Sequence, residues 1–284
     1  MHTTAERMGR ALVLVVGSVA LASCNEGPLS PKGPIGQAEK TILFDATAIM
    51  LAVVIPVIVL TLVFAWWFRA GNKRALYLPD WEYSGRIEMI VWSIPALIVL
   101  FLGGMAWISS HDLDPPAALR SHNKPLEIQV VSMDWKWLFI YPDQSIAAVN
   151  ELTVPVATPI HFRLTSSSVM NSFFIPQLGS QIYTMAGMVT QVNLQADEEG
   201  TYPGRSVQFS GDGFSDMKFD VHAVSDASFQ QWVTAAKANG ASLDATGYDA
   251  LVKPSQADAP HTFSNVESRL FDRAVMATMN AEGH

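Results

Sequence analysis

Two long apolar runs, at about residues 46–68 and 88–108, constrain this chain more than any other feature. The first is interrupted only by Thr47, Pro56 and Thr61, and the second holds Pro95, with Trp92 and Trp107 towards its ends. Crossing a hydrocarbon core of roughly 30 Å takes about 20 helical residues. Proline persists in such a helix where neighbours satisfy the freed backbone groups, and indole rings favour the membrane–water interface. The alternative, a pair of buried helices in a soluble protein, fits poorly with a chain that is 49% hydrophobic and opens on an export signal.

That signal consists of Arg7 and Arg10, an apolar run over residues 11–22, and then Leu21-Ala-Ser-Cys24. A basic stretch followed by a short apolar one is the form of a secretory leader. The tetrapeptide resembles the lipobox of bacterial lipoproteins, which implies that Cys24 is lipidated and becomes the mature N-terminus. Cys24 is the sole cysteine, so no intramolecular disulfide and no cysteine-built zinc cluster can form. Between the apolar runs, Arg69, Lys73, Arg74 and Arg86 outnumber Asp80 and Glu82, and the positive-inside rule places that loop in the cytoplasm. Both ends of the mature chain then lie in the periplasm, in agreement with a lipid anchor on the outer face of a bacterial inner membrane.

From Leu126 the apolar period drops to two. Leu126, Ile128 and Val130 alternate with polar residues, as do Ile160, Phe162 and Leu164, and later Met217, Phe219 and Val221. Short strands broken by Pro and Gly predict a β-sandwich or barrel. After Ser225, Phe229, Trp232, Val233 and Ala236 recur at helical spacing, and Ser264-Asn-Val-Glu267 reads as a capping box opening a last helix through Leu270, Phe271 and Val275. The expected organisation is a leader (1–23), a periplasmic link (24–41), and a transmembrane hairpin (42–110) with its cytoplasmic loop (69–86). A periplasmic β-domain (111–225) and a C-terminal helical extension (226–284) follow. The net charge of −8, with 18 scattered basic residues, excludes a nucleic-acid partner, which needs clustered Lys and Arg.

The β-domain carries Asn171-Ser-Phe-Phe-Ile-Pro176 and then Gly200-Thr-Tyr-Pro-Gly204-Arg-Ser206-Val-Gln-Phe-Ser210-Gly-Asp-Gly-Phe214-Ser-Asp-Met217. In this frame, behind two membrane helices, the chain resembles subunit II of the haem-copper oxidases, which implies a cupredoxin-like fold. The cytochrome c oxidase branch of that family holds the dinuclear copper-A centre with His-Ser-Phe and then Cys-x-x-x-Cys-x-x-x-His-x-x-Met. Matched position by position, the first histidine falls on Asn171, the cysteines on Ser206 and Ser210, the carbonyl donor on Gln208 and the second histidine on Phe214. Only Met217 keeps its identity. A serine hydroxyl does not ionise as a thiol does and Phe offers no lone pair, so no soft-ligand cage remains for copper, and packing is the expected role of Met217.

Loss of those ligands is the mark of the quinol oxidase branch, which Ser132-Met-Asp-Trp-Lys-Trp-Leu-Phe-Ile-Tyr-Pro142 and Phe214-Ser-Asp-Met-Lys-Phe219 also resemble. The resemblance implies a bo-type or ba-type proton-pumping ubiquinol oxidase. Its haem b, haem o or a, haem-side copper and ubiquinol site belong to subunit I, and its further partners are subunits III and IV and the lipid bilayer. This chain is then expected to be a non-catalytic subunit without a redox centre of its own. Two alternatives stand beside it: a true copper-A subunit, which would need thiolates the chain lacks, and a lipoprotein using a cupredoxin-like domain as a binding or assembly module.

Two further readings concern single features. Glu88, at the cytoplasmic start of the second apolar run, is where the family places a carboxylate at the mouth of a proton path into subunit I. The competing reading is an acidic residue that complements the helix N-terminal dipole. Trp135, Trp137, Phe139 and Tyr141 match a stretch on the electron path of the copper-bearing branch, but without a metal they are expected to pack the β-domain or dock it. His161 and His222 read as isolated surface histidines.

Overall fold

The computed structural model describes residues 27–76, 78–80, 82–121 and 123–282, with the side chains of 278–282 undescribed, so Cys24 and the leader lie outside the described residues. The chain divides into two compact units, residues 40–114 and residues 1–39 with 115–284.

The first apolar run belongs to helix α1 (Pro34–Trp67) and the second to α2 (Gly85–Asp112). Helix α2 extends past both predicted apolar limits, whereas α1 begins well before its run and ends one residue short of it, opening on Pro34, a residue suited to the first helical turn because its missing N–H has no partner there anyway. Each is long and apolar enough to cross a membrane. Along them Phe64, Trp92, Val99, Leu100 and Phe101 stand 54–74% exposed, a surface that only lipid or protein partners can cover. Three hydroxyls within the apolar runs turn inward on the helix itself. Thr47 donates to the Leu43 carbonyl at 2.7 Å, Thr61 to Val57 at 2.7 Å and Ser93 to Met89 at 2.6 Å, so no side-chain donor in these places faces hydrocarbon unpaired.

The second unit is a two-sheet sandwich. Its strands are β1 (Leu126–Met133), β2 (Lys136–Tyr141), β3 (Ile146–Val149), β4 (Glu151–Pro155), β5 (Ile160–Ser166), β6 (Asn171–Phe174), β7 (Ile182–Thr184), β8 (Thr190–Leu194), β9 (Gly200–Ser206) and β10 (Lys218–Val224). Then come α3 (Asp226–Asn239), β11 (Ala241–Leu243), α4 (Ala245–Leu251), β12 (His261–Val266) and α5 (Leu270–Glu282). One sheet runs β11-β12-β3-β2-β1-β5-β8 and the other β4-β10-β9-β6-β7. The β1–β5 and β10–β4 pairs are parallel, the other pairs between β1 and β10 antiparallel.

The three alternating runs all point inward as their period demands: Leu126, Ile128, Val130, Ile160, Phe162, Leu164, Met217, Phe219 and Val221 are buried. Between the sheets sits an aromatic cluster in which Phe173 stacks on Phe219 at 5.2 Å and Trp137 meets both rings edge-on at 5.5 and 5.6 Å. Offset and edge-on pairs of this kind add roughly 0.5–1.5 kcal/mol each beyond the area they bury.

The C-terminal extension differs from the all-helical expectation. It contributes β11 and β12 to the larger sheet, and Ser264-Asn-Val266 is strand, with Ser264 Oγ donating to the Gly240 carbonyl at 2.5 Å. The last helix starts at Leu270 instead. The capping-box pattern lost because Thr262 and Phe263 pair with β3, and a local cap of about 1 kcal/mol yields to a ladder backed by burial. The extension also covers the outer face of the larger sheet, where Val131, Met133, Leu138, Ile140 and Val149 form a second core with Leu243, Tyr248, Leu270, Phe271 and Ala274. The link is likewise built into this unit. Lys32 N–H donates to Gln177 O at 2.7 Å, Gly36 N–H to Leu178 O at 3.1 Å, and Asp197 N–H to Lys32 O at 2.8 Å.

Candidate functional site

The six positions matched to copper-A ligands come from the start of β6, the end of β9 and the loop that follows. Asn171 is paired in register with Thr184 of β7, and β6 reaches β9 through the Phe173–Ser206 pair, which puts residue 171 beside residue 206. Ser206 Oγ donates to Asn171 Oδ1 and to the Gln208 carbonyl, each at 3.3 Å. The Ser206 N–H donates to the Met217 carbonyl at 3.1 Å, and the Asn171 amide donates to Val169 O at 3.2 Å. The loop therefore closes back on β6 through neutral hydrogen bonds.

The remaining positions follow the same pattern. Met217 is 1% exposed and belongs to the core between the sheets. Phe214 opens a single 3₁₀ turn, Phe214–Asp216, and its ring packs edge-on against Phe209 at 5.7 Å. The Ser210 carbonyl accepts from Trp135 Nε1 at 3.0 Å, while the Ser210 hydroxyl is buried without a protein partner. Asn171, Ser206 and Gln208 are joined by hydrogen bonds, and Ser210, Phe214 and Met217 lie further along the same loop. As a donor set they do not fit a copper pair: neutral hydroxyls of Ser206 and Ser210 stand where thiolates are needed, an amide and a phenyl ring stand where imidazoles are needed, and only the Met217 thioether remains. Among the described residues no group of three or more His, Cys, Asp or Glu side chains is disposed to hold a metal.

Of the aromatic run, Trp137, Phe139 and Tyr141 are completely buried, in keeping with packing. Trp135 is different. It has a positive φ of 65° and lies partly exposed over the loop. The two histidines are half-buried and partnered, His161 Nδ1 lying 3.0 Å from Asn193 Oδ1 and His222 Nδ1 3.1 Å from Thr201 Oγ1. Glu88 sits exposed in the first turn of α2, where its N–H donates to the carbonyl of the N-cap Ser84 at 3.0 Å.

Lys136 was missed. It is 2% exposed, and its ammonium donates to Lys253 O at 3.0 Å, to Asp258 Oδ2 at 3.1 Å and to Ser255 Oγ. A signal was present in the sequence: a Lys set between Trp135 and Trp137, in a strand apolar at every other position, is buried whichever face its neighbours choose.

Two apolar helices followed by a cupredoxin-like sandwich, with a closed loop where a metal pair would sit, define the class: a subunit II of the haem-copper oxidases. The family described as "Cytochrome C oxidase subunit II, periplasmic domain" matches residues 142–224, and "COX Aromatic Rich Motif" matches residues 237–282. The chain is 53% identical over 254 residues to the cytochrome bo(3) ubiquinol oxidase subunit 2 of Pseudomonas aeruginosa, covering 89% of this chain and 77% of that one. It is 49% identical over 260 residues to the ubiquinol oxidase subunit 2 of Acetobacter aceti, covering 91% and 84%. The solved periplasmic domain of subunit II of cytochrome oxidase from Bradyrhizobium japonicum aligns with a TM-score of 0.40 at 23% identity, over 43% of this chain and 98% of that domain. The chain belongs to the ubiquinol oxidase subunit 2 family.

Proposed function

We propose that this chain is the non-redox subunit II of a proton-translocating ubiquinol oxidase, anchored in the inner membrane by α1, α2 and a lipid on Cys24. Its sandwich lies in the periplasm, and its partners are subunits I, III and IV. The haems, the haem-side copper and the ubiquinol site belong to subunit I. The observation that carries this reading is the Asn171–Ser206–Gln208 hydrogen-bond chain, which fills the donor positions of a copper pair without a thiolate or an imidazole. A donor dissolved in the membrane delivers electrons without crossing the periplasmic face, so no relay is required in this domain.

Glu88, on the family's pattern, is the residue of this chain that takes part in proton uptake, at the opposite face of the membrane from the sandwich. Its exposure in the first turn of α2 supports that role by leaving the carboxylate open to solvent or to a neighbouring subunit. The purified complex is expected to show haem absorption, ubiquinol-dependent oxygen uptake and no copper attributable to this chain. Two coppers per copy of the chain would overturn the reading. Glu88→Ala is expected to slow proton uptake, and unchanged turnover and uptake would remove Glu88 from the path.

A further inference from the structure

Three successive residues, the two of the β1–β2 turn and the first of β2, each hold a different loop by a side-chain hydrogen bond. Asp134 Oδ1 accepts from Ser168 Oγ at 2.6 Å, in the loop between β5 and β6. Trp135 Nε1 donates to Ser210 O at 3.0 Å, in the loop between β9 and β10. Lys136 Nζ holds the segment between α4 and β12 through Lys253 O, Ser255 Oγ and Asp258 Oδ2. In sequence the three loops are far apart; the β6–β9 ladder adjoins the first two, and the 253–258 segment is reached only from Lys136 among these three side chains.

We propose that this turn is the organiser of the loop cluster, and that the Trp135 indole is what fixes the 206–217 loop. The backbone at this point is shaped for it. Trp135 adopts a left-handed φ of 65°, rare for a bulky residue, and Gly211 has φ 102°. Under the indole there is no room for a side chain at Gly213, where a Cβ would come within 2.5 Å of the ring; at Gly211 a Cβ would make ordinary contact at 3.4 Å, and the positive φ is what favours glycine there. A strained φ persists only where the surroundings over-determine it, and here they do so through the indole N–H and the two glycines. What the clasp fixes is a loop whose apolar side chains face outward, with Phe209 72% and Val207 41% exposed.

The test is amide hydrogen exchange on the full chain in detergent. Trp135→Phe keeps an aromatic side chain but removes the N–H together with the five-membered ring, and is expected to raise exchange in residues 207–216 at least about five-fold, the effect of one lost hydrogen bond on local opening. Strands β1, β2 and β5 should keep their protection. Lys136→Met is expected to speed exchange in 253–258 and leave 207–216 unchanged. A coupled test uses Gly213→Ala, which should loosen 207–216 by displacing the indole, yet add nothing in a Trp135→Gly background, where the ring is gone and the positive φ is tolerated. Unchanged loop exchange in Trp135→Phe, loss of protection spread equally over the strands, or full additivity of Gly213→Ala with Trp135→Gly would each overturn the proposal.

Discussion

The buried ion pair between Lys136 and Asp258 makes an asymmetric prediction. The Lys136 side chain is 3% exposed and that of Asp258 28%, with Nζ and Oδ2 at 3.1 Å. Removing the carboxylate leaves a buried ammonium with only the Lys253 carbonyl and the Ser255 hydroxyl, and an uncompensated buried charge costs about 3–5 kcal/mol. Removing the ammonium instead leaves a carboxylate that reaches water, with the Ser255 hydroxyl still donating to it at 2.6 Å. Lys136→Met, which keeps the volume of the aliphatic stem, should therefore cost about 1 kcal/mol or less. In thermal unfolding of the full chain in detergent, Asp258→Ala should lower the sandwich transition by about 10 °C and Lys136→Met by less than about 3 °C.

Acid adds a second signature. Burial raises the Asp258 carboxyl, but hydrogen bonds from Ser255 and Lys136 and the charges of Lys136 and His261 outweigh it and hold the group below its ordinary 3.8. A folded-state value below the unfolded one makes this contribution complete above about pH 4 and lost as pH falls through the lowered value. Equal losses for the two variants, or a larger one for Lys136→Met, would refute the reasoning.

Phe219→Ala empties the centre of the aromatic cluster and should cost about 3–5 kcal/mol, read as a lower guanidinium midpoint at unchanged slope. Tyr141→Phe removes a hydroxyl that donates to Thr153 O at 2.9 Å and accepts from Thr153 N–H at 3.0 Å. Stranding that backbone pair should cost about 1–3 kcal/mol in the same assay. Burial pushes the Tyr141 phenol well above its usual range, so the wild-type sandwich should show no tyrosinate absorption from this residue until alkali unfolds it.

Several features were legible before any coordinates, because they depend on composition and period alone. The two spanning helices follow from length and hydropathy. The inward faces of β1, β5 and β10 follow from strict alternation of Leu126, Ile128 and Val130 and of their counterparts in the other two strands. The absence of a metal donor set follows from residue identity at Asn171, Ser206, Ser210 and Phe214, since no tertiary arrangement gives a hydroxyl or a phenyl ring the chemistry of a thiolate or an imidazole.

What the tertiary structure alone decided is where local signals compete with distant partners. Ser264-Asn-Val-Glu267 has the pattern of a helix cap, but the ladder of β12 with β3 and β11 outweighs it. Residues 31–36 read as a free link, yet their backbone groups find carbonyls and amides at Gln177, Leu178 and Asp197, more than a hundred residues away. Lys136 looks like an interruption in an apolar strand, and Trp135 like one more aromatic beside it, until two loops from distant parts of the chain close over them. Period and identity are properties of neighbours in sequence. The partners that satisfy a buried ammonium or hold a left-handed tryptophan exist only once the sheets have packed.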